Sequence, residues 1–149
     1  SDLRFNAAAE ALKRRDIAFN EDSRYDVGDF RDAASGCMNW ITAGRYNAVI
    51  AFNDLAAVSI LQAACRRGLR VPGDIALTGY DNSPLQDLMG RRIDTISLSV
   101  ADLGRQAGLW LRKCIIDRTQ IRMRCVLPAE YVAGDTIISG TTDEDWLRE

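Results

Sequence analysis

Ala48-Val49-Ile50-Ala51-Phe52, followed at once by Asn53-Asp54, is the stretch that decides how this chain folds. Five consecutive apolar residues suit a strand covered on both faces, as strands of parallel sheets are. Asn and Asp start helices. Leu55, Val58, Leu61 and Cys65 then recur at helical spacing until Gly68 stops the pattern behind Arg66-Arg67. A strand running straight into a helix is the first half of a parallel βαβ unit. The other half follows the turn Val71-Pro72-Gly73-Asp74: Ile75-Ala76-Leu77-Thr78-Gly79 reads as the next buried strand, with Tyr80-Asp81-Asn82 at its end.

Upstream, Leu3, Ala7, Ala8, Ala11 and Leu12 predict a first helix that runs out in Lys13-Arg14-Arg15. Residues 18–27 are polar, with a short strand expected near Tyr25–Val27. Gly28-Asp29 opens a second helix, with Asp29 as cap, Asp32 in its first turn, and Phe30, Ala33, Ala34, Cys37 and Ile41 inward until Gly44. Downstream, a short helix is expected over Pro84–Met89, and Thr95–Val100 reads as a strand or extended crossover. Ser99-Val100-Ala101-Asp102 has capping-box form. It precedes a long amphipathic helix through Leu103, Ala107, Leu111, Cys114 and Ile115, whose Gly104 and Gly108 predict close packing against a neighbour. Cys125–Val132 holds the last strand, and Thr141–Glu149 reads as a frayed acidic tail. Strands alternating with helices predict an α/β fold with a mainly parallel open sheet flanked by helices. A βαβ unit normally opens with a strand, yet this chain opens inside a helix; that helix is either a decoration or the remainder of a unit cut upstream.

Composition narrows the chemistry. The 149 residues are 47% apolar, enough for one real core, and the net charge of −2 gives no sign of a strongly basic nucleic-acid face. No apolar run approaches a membrane span of about 20 residues. Histidine is absent, so Ser-His-Asp and Cys-His catalysis within this chain are excluded, and the commonest transition-metal ligand is missing. The cysteines, Cys37, Cys65, Cys114 and Cys125, form no CxxC pair and are expected as small buried residues in a reducing compartment. No metal or cofactor is expected. Arg14-Arg15, Arg66-Arg67 and Arg91-Arg92 read as solvated helix ends and loops, Trp40 and Trp110 as helix-face packing. Walker A, GxGxxG and Gly-x-Ser-x-Gly patterns are all absent.

In open α/β sheets, ligands bind outside the carboxyl ends of the strands. Asn53 and Asp54 fall there after one strand, Asp81 after the next. An Asn side chain both accepts and donates, while an ionised Asp accepts; together they satisfy hydroxyl groups in both senses, as a sugar, polyol or nucleoside requires. Arg4 is a candidate forked donor for the same mouth. Each residue also has a plainer role, Asn53 or Asp54 as helix cap and Asp81 in a turn. It is their convergence that suggests a site.

These same residues resemble the LacI/GalR family of bacterial transcriptional repressors. The resemblance is carried by Ala48–Ala57, by Gly68–Asn82, and by Asp94-Thr95-Ile96-Ser97, Leu103-Gly104-Arg105-Gln106-Ala107 and Leu127–Val132. It implies a type I periplasmic-binding-protein-like core of two subdomains with effector between them, present here incompletely. Residues 1–98 would be the C-terminal subdomain without its first strand, 99–120 a crossover helix of the missing N-terminal subdomain, 121–138 a return strand and 139–149 the tail. Arg4, Asn53 and Asp81 match the family's effector-contacting positions, and Phe30 sits where a stacking aromatic often lies, although a core role in its helix suits it equally. Leu98 and Ser99 depart from the Gln and Pro or Asp common at the crossover, which puts one polar effector contact in doubt.

The resemblance implies a cytoplasmic, non-catalytic protein: a homodimer that binds a small sugar, polyol or nucleoside-like effector and reaches operator DNA only through a headpiece absent from this chain, with no membrane contact. The long helix, deprived of its sheet, is expected to leave an apolar face exposed. Two other readings share the fold. One is a periplasmic sugar-binding protein of a transport system, disfavoured by unpaired cysteines. The other is a doubly wound α/β enzyme with Asp54 or Asp81 as base, for which no nucleophile, phosphate loop or metal set is present.

Overall fold

A computed structural model describes residues 2–26, 33–84, 90–118, 122 and 124–138. The chain divides into two units, Ser1–Gly44 and Arg45–Glu149.

The first unit contains α1 (Asp2–Lys13), a 3-10 turn (Glu21–Ser23) and α2 (Ala33–Gly44). Phe5 of α1 meets Phe19, ring centroids 5.2 Å apart, and the Arg24 guanidinium lies 5.4 Å from the Phe5 centroid. Arg24 also donates to Asp2 and Asp26. On α2, Cys37, Met38 and Ile41 are buried, a narrow stripe at three- and four-residue spacing. Trp40 packs on Tyr25, centroids 5.5 Å apart, as its helix-face reading expects. The strand expected near Tyr25–Val27 is not formed at Tyr25 and Asp26, where the ring contact and the Arg24–Asp26 pair replace strand pairing. Asp29, Phe30 and Asp32, with the helix start expected there, lie outside the described residues.

The second unit contains β1 (Ala48–Ile50), α3 (Asp54–Arg66), β2 (Ala76–Thr78), β3 (Thr95–Leu98), α4 (Val100–Asp117) and β4 (Ala129–Val132). β1 and β2 are parallel, with Ala48, Val49 and Ile50 opposite Ala76, Leu77 and Thr78. Thr78 bridges Asp94 in parallel on the other flank of β2, and Leu77 N donates to Thr136 O there at 2.9 Å. Leu77, fully buried, is therefore the centre of the unit. α3 crosses β2 as the connection of a βαβ unit, burying Ala57, Val58, Ile60, Leu61, Ala63 and Ala64. Its buried face is broader than the predicted stripe, and Leu55 and Cys65 lie outside it. β3 and β4 pair antiparallel, Thr95 opposite Val132 and Leu98 opposite Ala129, so the sheet elements are α/β but not uniformly parallel.

Several packing expectations are corrected. β1 is not covered on both faces, since Ile50 is 60% exposed. Ser99 makes no side-chain cap, and Asp102 instead accepts from Arg105 at 2.7 Å. α4 buries none of its residues, and a methyl group placed on Gly104 or Gly108 meets nothing within 4 Å. Of the four cysteines, Cys37 is buried while Cys65 and Cys125 are exposed. Arg91 is more than a solvated loop residue: it donates to Val71 O at 2.8 Å and to the Asp135 carboxylate and carbonyl. The short helix expected at Pro84–Met89 lies, from residue 85 on, outside the described residues, as does the tail from 139.

Candidate functional site

The carboxyl ends of β1 and β2 lie side by side, because the two strands run parallel with Ile50 opposite Thr78. From β1 the chain passes through Ala51 and Phe52 to Asn53, the N-cap of α3, whose side-chain oxygen accepts from Ala56 N at 2.9 Å. From β2 it passes through Gly79 to Asp81 and Asn82. Both have positive φ, 101° and 52°, the left-handed region that Asp and Asn enter more readily than bulkier residues. Asp54 N donates to Tyr80 O at 2.9 Å, tying the two strand ends together.

Asp81 opens a surface crevice of about 670 Å³ lined by Asp81–Pro84 and Ser97–Asp102. Asp81 presents an exposed carboxylate, and Asn82 Nδ2 reaches Ser97 Oγ at 3.5 Å. Ser83, Ser97 and Ser99 add hydroxyls that both donate and accept. Asp102, at the far side, is held by Arg105. The lining thus joins acceptor-only carboxylates to two-way hydroxyls and one amide, a set matched to a ligand rich in hydroxyls. Among the described residues, no group of three or more Cys, Asp and Glu side chains is arranged to hold a metal.

Of the residues singled out from sequence, Asn53 and Asp81 share this end of the β1–β2 pair, but only Asp81 lines the crevice. Asn53's oxygen is spent on its helix cap, the plainer of its two expected roles. Arg4 lies half-buried on α1 in the first unit, and Phe30 lies outside the described residues. Sequence reasoning did not single out Asn82, Ser97, Ser99 or Asp102 as lining residues. Ser97 and Ser99 carried a readable signal, because residues two apart in an extended segment share a face.

A second feature of this unit is a buried carboxylate. Asp94, immediately before β3, is 2% exposed and accepts from the Tyr131 hydroxyl, Gly134 N (3.0 Å), Thr136 N (2.8 Å) and Ile137 N (2.9 Å). Its own N–H donates to Thr136 Oγ1, which donates to Leu77 O at 2.6 Å. Burial raises the pKa of Asp94, but the hydrogen bonds from Tyr131, Gly134 and Thr136 outweigh it, and the carboxyl stays below its ordinary range. Tyr131 is pushed up to about 12 by burial and by the Asp94 carboxylate it faces. The knot fastens the returning chain, 131–137, to β2 and to the start of β3.

The chain resembles known proteins over most of its length. A family model described as periplasmic binding protein-like domain matches residues 1–137. The ribose operon repressor of Bacillus subtilis (strain 168) is 31% identical over 135 residues, which is 89% of this chain and 41% of that protein. The HTH-type transcriptional repressor PurR of Vibrio campbellii is 31% identical over 130 residues, 85% of this chain and 39% of its own length. A LacI-family putative transcriptional regulator from Sanguibacter keddieii superposes with a TM-score of 0.79 at 28% identity, over 91% of this chain and 52% of that one. The regulator CelR in complex with cellobiose superposes at 0.74 with 26% identity, over 86% of this chain and 40% of that one. The chain therefore spans about two-fifths of these curated relatives and two-fifths to one-half of these structures.

Proposed function

Since the chain belongs to the periplasmic binding protein-like domain family, in the form found in LacI-family regulators, we propose that it is the effector-binding part of a transcriptional repressor. The observation that carries this reading is the crevice at the carboxyl end of β2, where the Asp81 carboxylate stands with the hydroxyls of Ser83, Ser97 and Ser99. A sugar is the effector class those groups suit. The family relationship supports the same class, through a regulator solved with cellobiose and another, from Arthrobacter sp. FB24, solved with lactose.

In this reading Asp81 is the principal contact. Residues 99–120 serve as a crossover helix to a second subdomain. The chain acts without catalysis, in the cytoplasm, as a homodimer, and reaches operator DNA through sequence outside these residues. Effector binding then shifts the balance between arrangements that do and do not hold DNA.

A charged hydrogen bond contributes about 1.5–3 kcal/mol, roughly a tenfold or greater change in affinity. Calorimetric titration of the intact protein with D-ribose, cellobiose and lactose tests the reading. At least one sugar is expected to bind, and Asp81→Ala is expected to weaken it at least tenfold. An affinity unchanged by Asp81→Ala removes Asp81 from the site.

A further inference from the structure

The four residues that turn the chain into the crevice are each held from behind. Tyr80 O accepts from Asp54 N at 2.9 Å, and Asp81 N donates to Ile96 O at 2.9 Å. Asn82 N donates to Thr95 Oγ1 at 3.4 Å, and Ser83 N donates to Asp54 Oδ2 at 2.5 Å. The last two are joined, because the Thr95 hydroxyl donates its proton to Asp54 Oδ1 at 2.6 Å. Thr95 Oγ1 therefore faces Asn82 N with a lone pair, and the carboxylate that fixes this direction also holds the next amide. Asp54 and Thr95 are 1% exposed each, so water does not compete for these groups. Gly79 leaves the room required: a methyl group there collides with Asp54 Oδ1 and stands 3.2 Å from Asp54 Cα.

The turn needs such support, since two successive non-glycine residues, Asp81 and Asn82, adopt positive φ. Each departs from the backbone regions most residues prefer, and such conformations persist where their surroundings over-determine them. Neither Asp54 nor Thr95 lines the crevice. We propose that Asp54 and Thr95 are positioning residues: clamped to each other, they hold the Asp81–Asn82 turn in its ligand-presenting form and so set the affinity of the crevice from behind its surface. The proposal rests on the crevice being the effector site.

The test compares Thr95→Val, which keeps the shape but removes the hydroxyl, with Thr95→Ser, which keeps the hydroxyl, and with Asp54→Asn. The intact protein is titrated calorimetrically with whichever of D-ribose, cellobiose and lactose it binds, at a temperature where every variant is folded. Amide exchange at Asn82 and Ser83 is followed in parallel. Thr95→Val and Asp54→Asn are expected to weaken binding about tenfold and to speed exchange at both amides, while Thr95→Ser stays within about threefold of the parent. A purely structural role would lower the unfolding midpoint and leave the affinity of the folded protein unchanged. If Asp54→Asn fails to fold, the Thr95→Val and Thr95→Ser pair decides alone. Should Asp81→Ala weaken binding while Thr95→Val leaves it within twofold, the clamp is overturned and the crevice stands. Should no sugar bind, or Asp81→Ala change nothing, the crevice reading fails and takes the positioning role with it.

Discussion

The Tyr131 hydroxyl donates to the Asp94 carboxylate across 37 residues of sequence, joining β4 to the residue before β3. Three backbone amides, from Gly134, Thr136 and Ile137, converge on the same carboxylate, so one buried charge organises the whole return of the chain to the sheet. Removing it strands several donors at once. Asp94→Asn is expected to destabilise the protein by about 2–4 kcal/mol, and Tyr131→Phe, which removes one donor near the surface, by about 1 kcal/mol. Chemical unfolding of both variants checks the ranking; equal losses contradict the knot as described.

The same pair sets a pH window. The pKa of Asp94 is lowered in the folded state, so its contribution is present above the ordinary carboxylate value and lost as pH falls through the lower folded value. Tyr131 is raised from 10.0 to about 12, so its contribution is present below 10.0 and lost as pH climbs toward about 12. Ultraviolet titration of the phenolates is expected to show Tyr131 ionising late, and Tyr131→Phe to abolish that late step. A late step that survives in Tyr131→Phe assigns it elsewhere.

One substitution has opposite signs at two places. A methyl group on Gly134 falls within about 2.5 Å of Asp94 N and Ile93 C, backbone atoms that cannot move aside. Gly134→Ala is expected to cost about 2 kcal/mol. At Gly104 and Gly108, inside α4, nothing lies within 4 Å, so alanine is expected to gain about 0.5–1 kcal/mol of helix stability where the helix is part of the cooperative unit. Thermal unfolding of the three variants is the check, and a destabilising Gly104→Ala shows that α4 is packed in solution.

α4 displays Val100, Leu103, Leu109, Leu111, Ile115 and Ile116, each more than half exposed. Apolar surface of that extent on a soluble domain favours association. The chain of residues 1–149, in isolation, is expected to bind an apolar dye and to scatter light as more than a monomer. Leu111→Glu with Ile115→Glu is expected to reduce both signals without lowering the unfolding midpoint. A monodisperse monomer that ignores the dye contradicts this.

The thiols are expected to react in the order of their exposure. Cys65 and Cys125 are exposed, whereas Cys37 is buried and its pKa is raised by that burial, which leaves little thiolate. A thiol reagent applied under native conditions is expected to modify Cys65 and Cys125 first and Cys37 only on unfolding. Mass mapping of the modified peptides reads the order directly.

Much of the architecture was legible in the residues themselves. The run from Ala48 to Phe52, the polar pair Asn53-Asp54 and the stretch from Ile75 to Asp81 announced a strand, a helix start and a second strand, because periodicity and capping chemistry are local. The place of Asp81 at the end of a strand was equally legible, since it follows from element order alone. Exposure was less so. Apolar spacing marks the face a segment prefers to cover, but whether anything covers it depends on residues elsewhere, and Ile50 and the apolar residues of α4 are exposed.

Local pattern alone specifies the βαβ crossover and the place of Asp81 at a strand end. Asn53 spends its oxygen on a helix cap, while long-range packing turns the Thr95 hydroxyl to Asp54 and lets Asp94 gather the chain from 131 to 137. These partners, the Asn53 cap aside, stand 37 to 43 residues apart, and a buried carboxylate takes its role from whichever donors the fold delivers to it. No local pattern of side chains encodes that delivery.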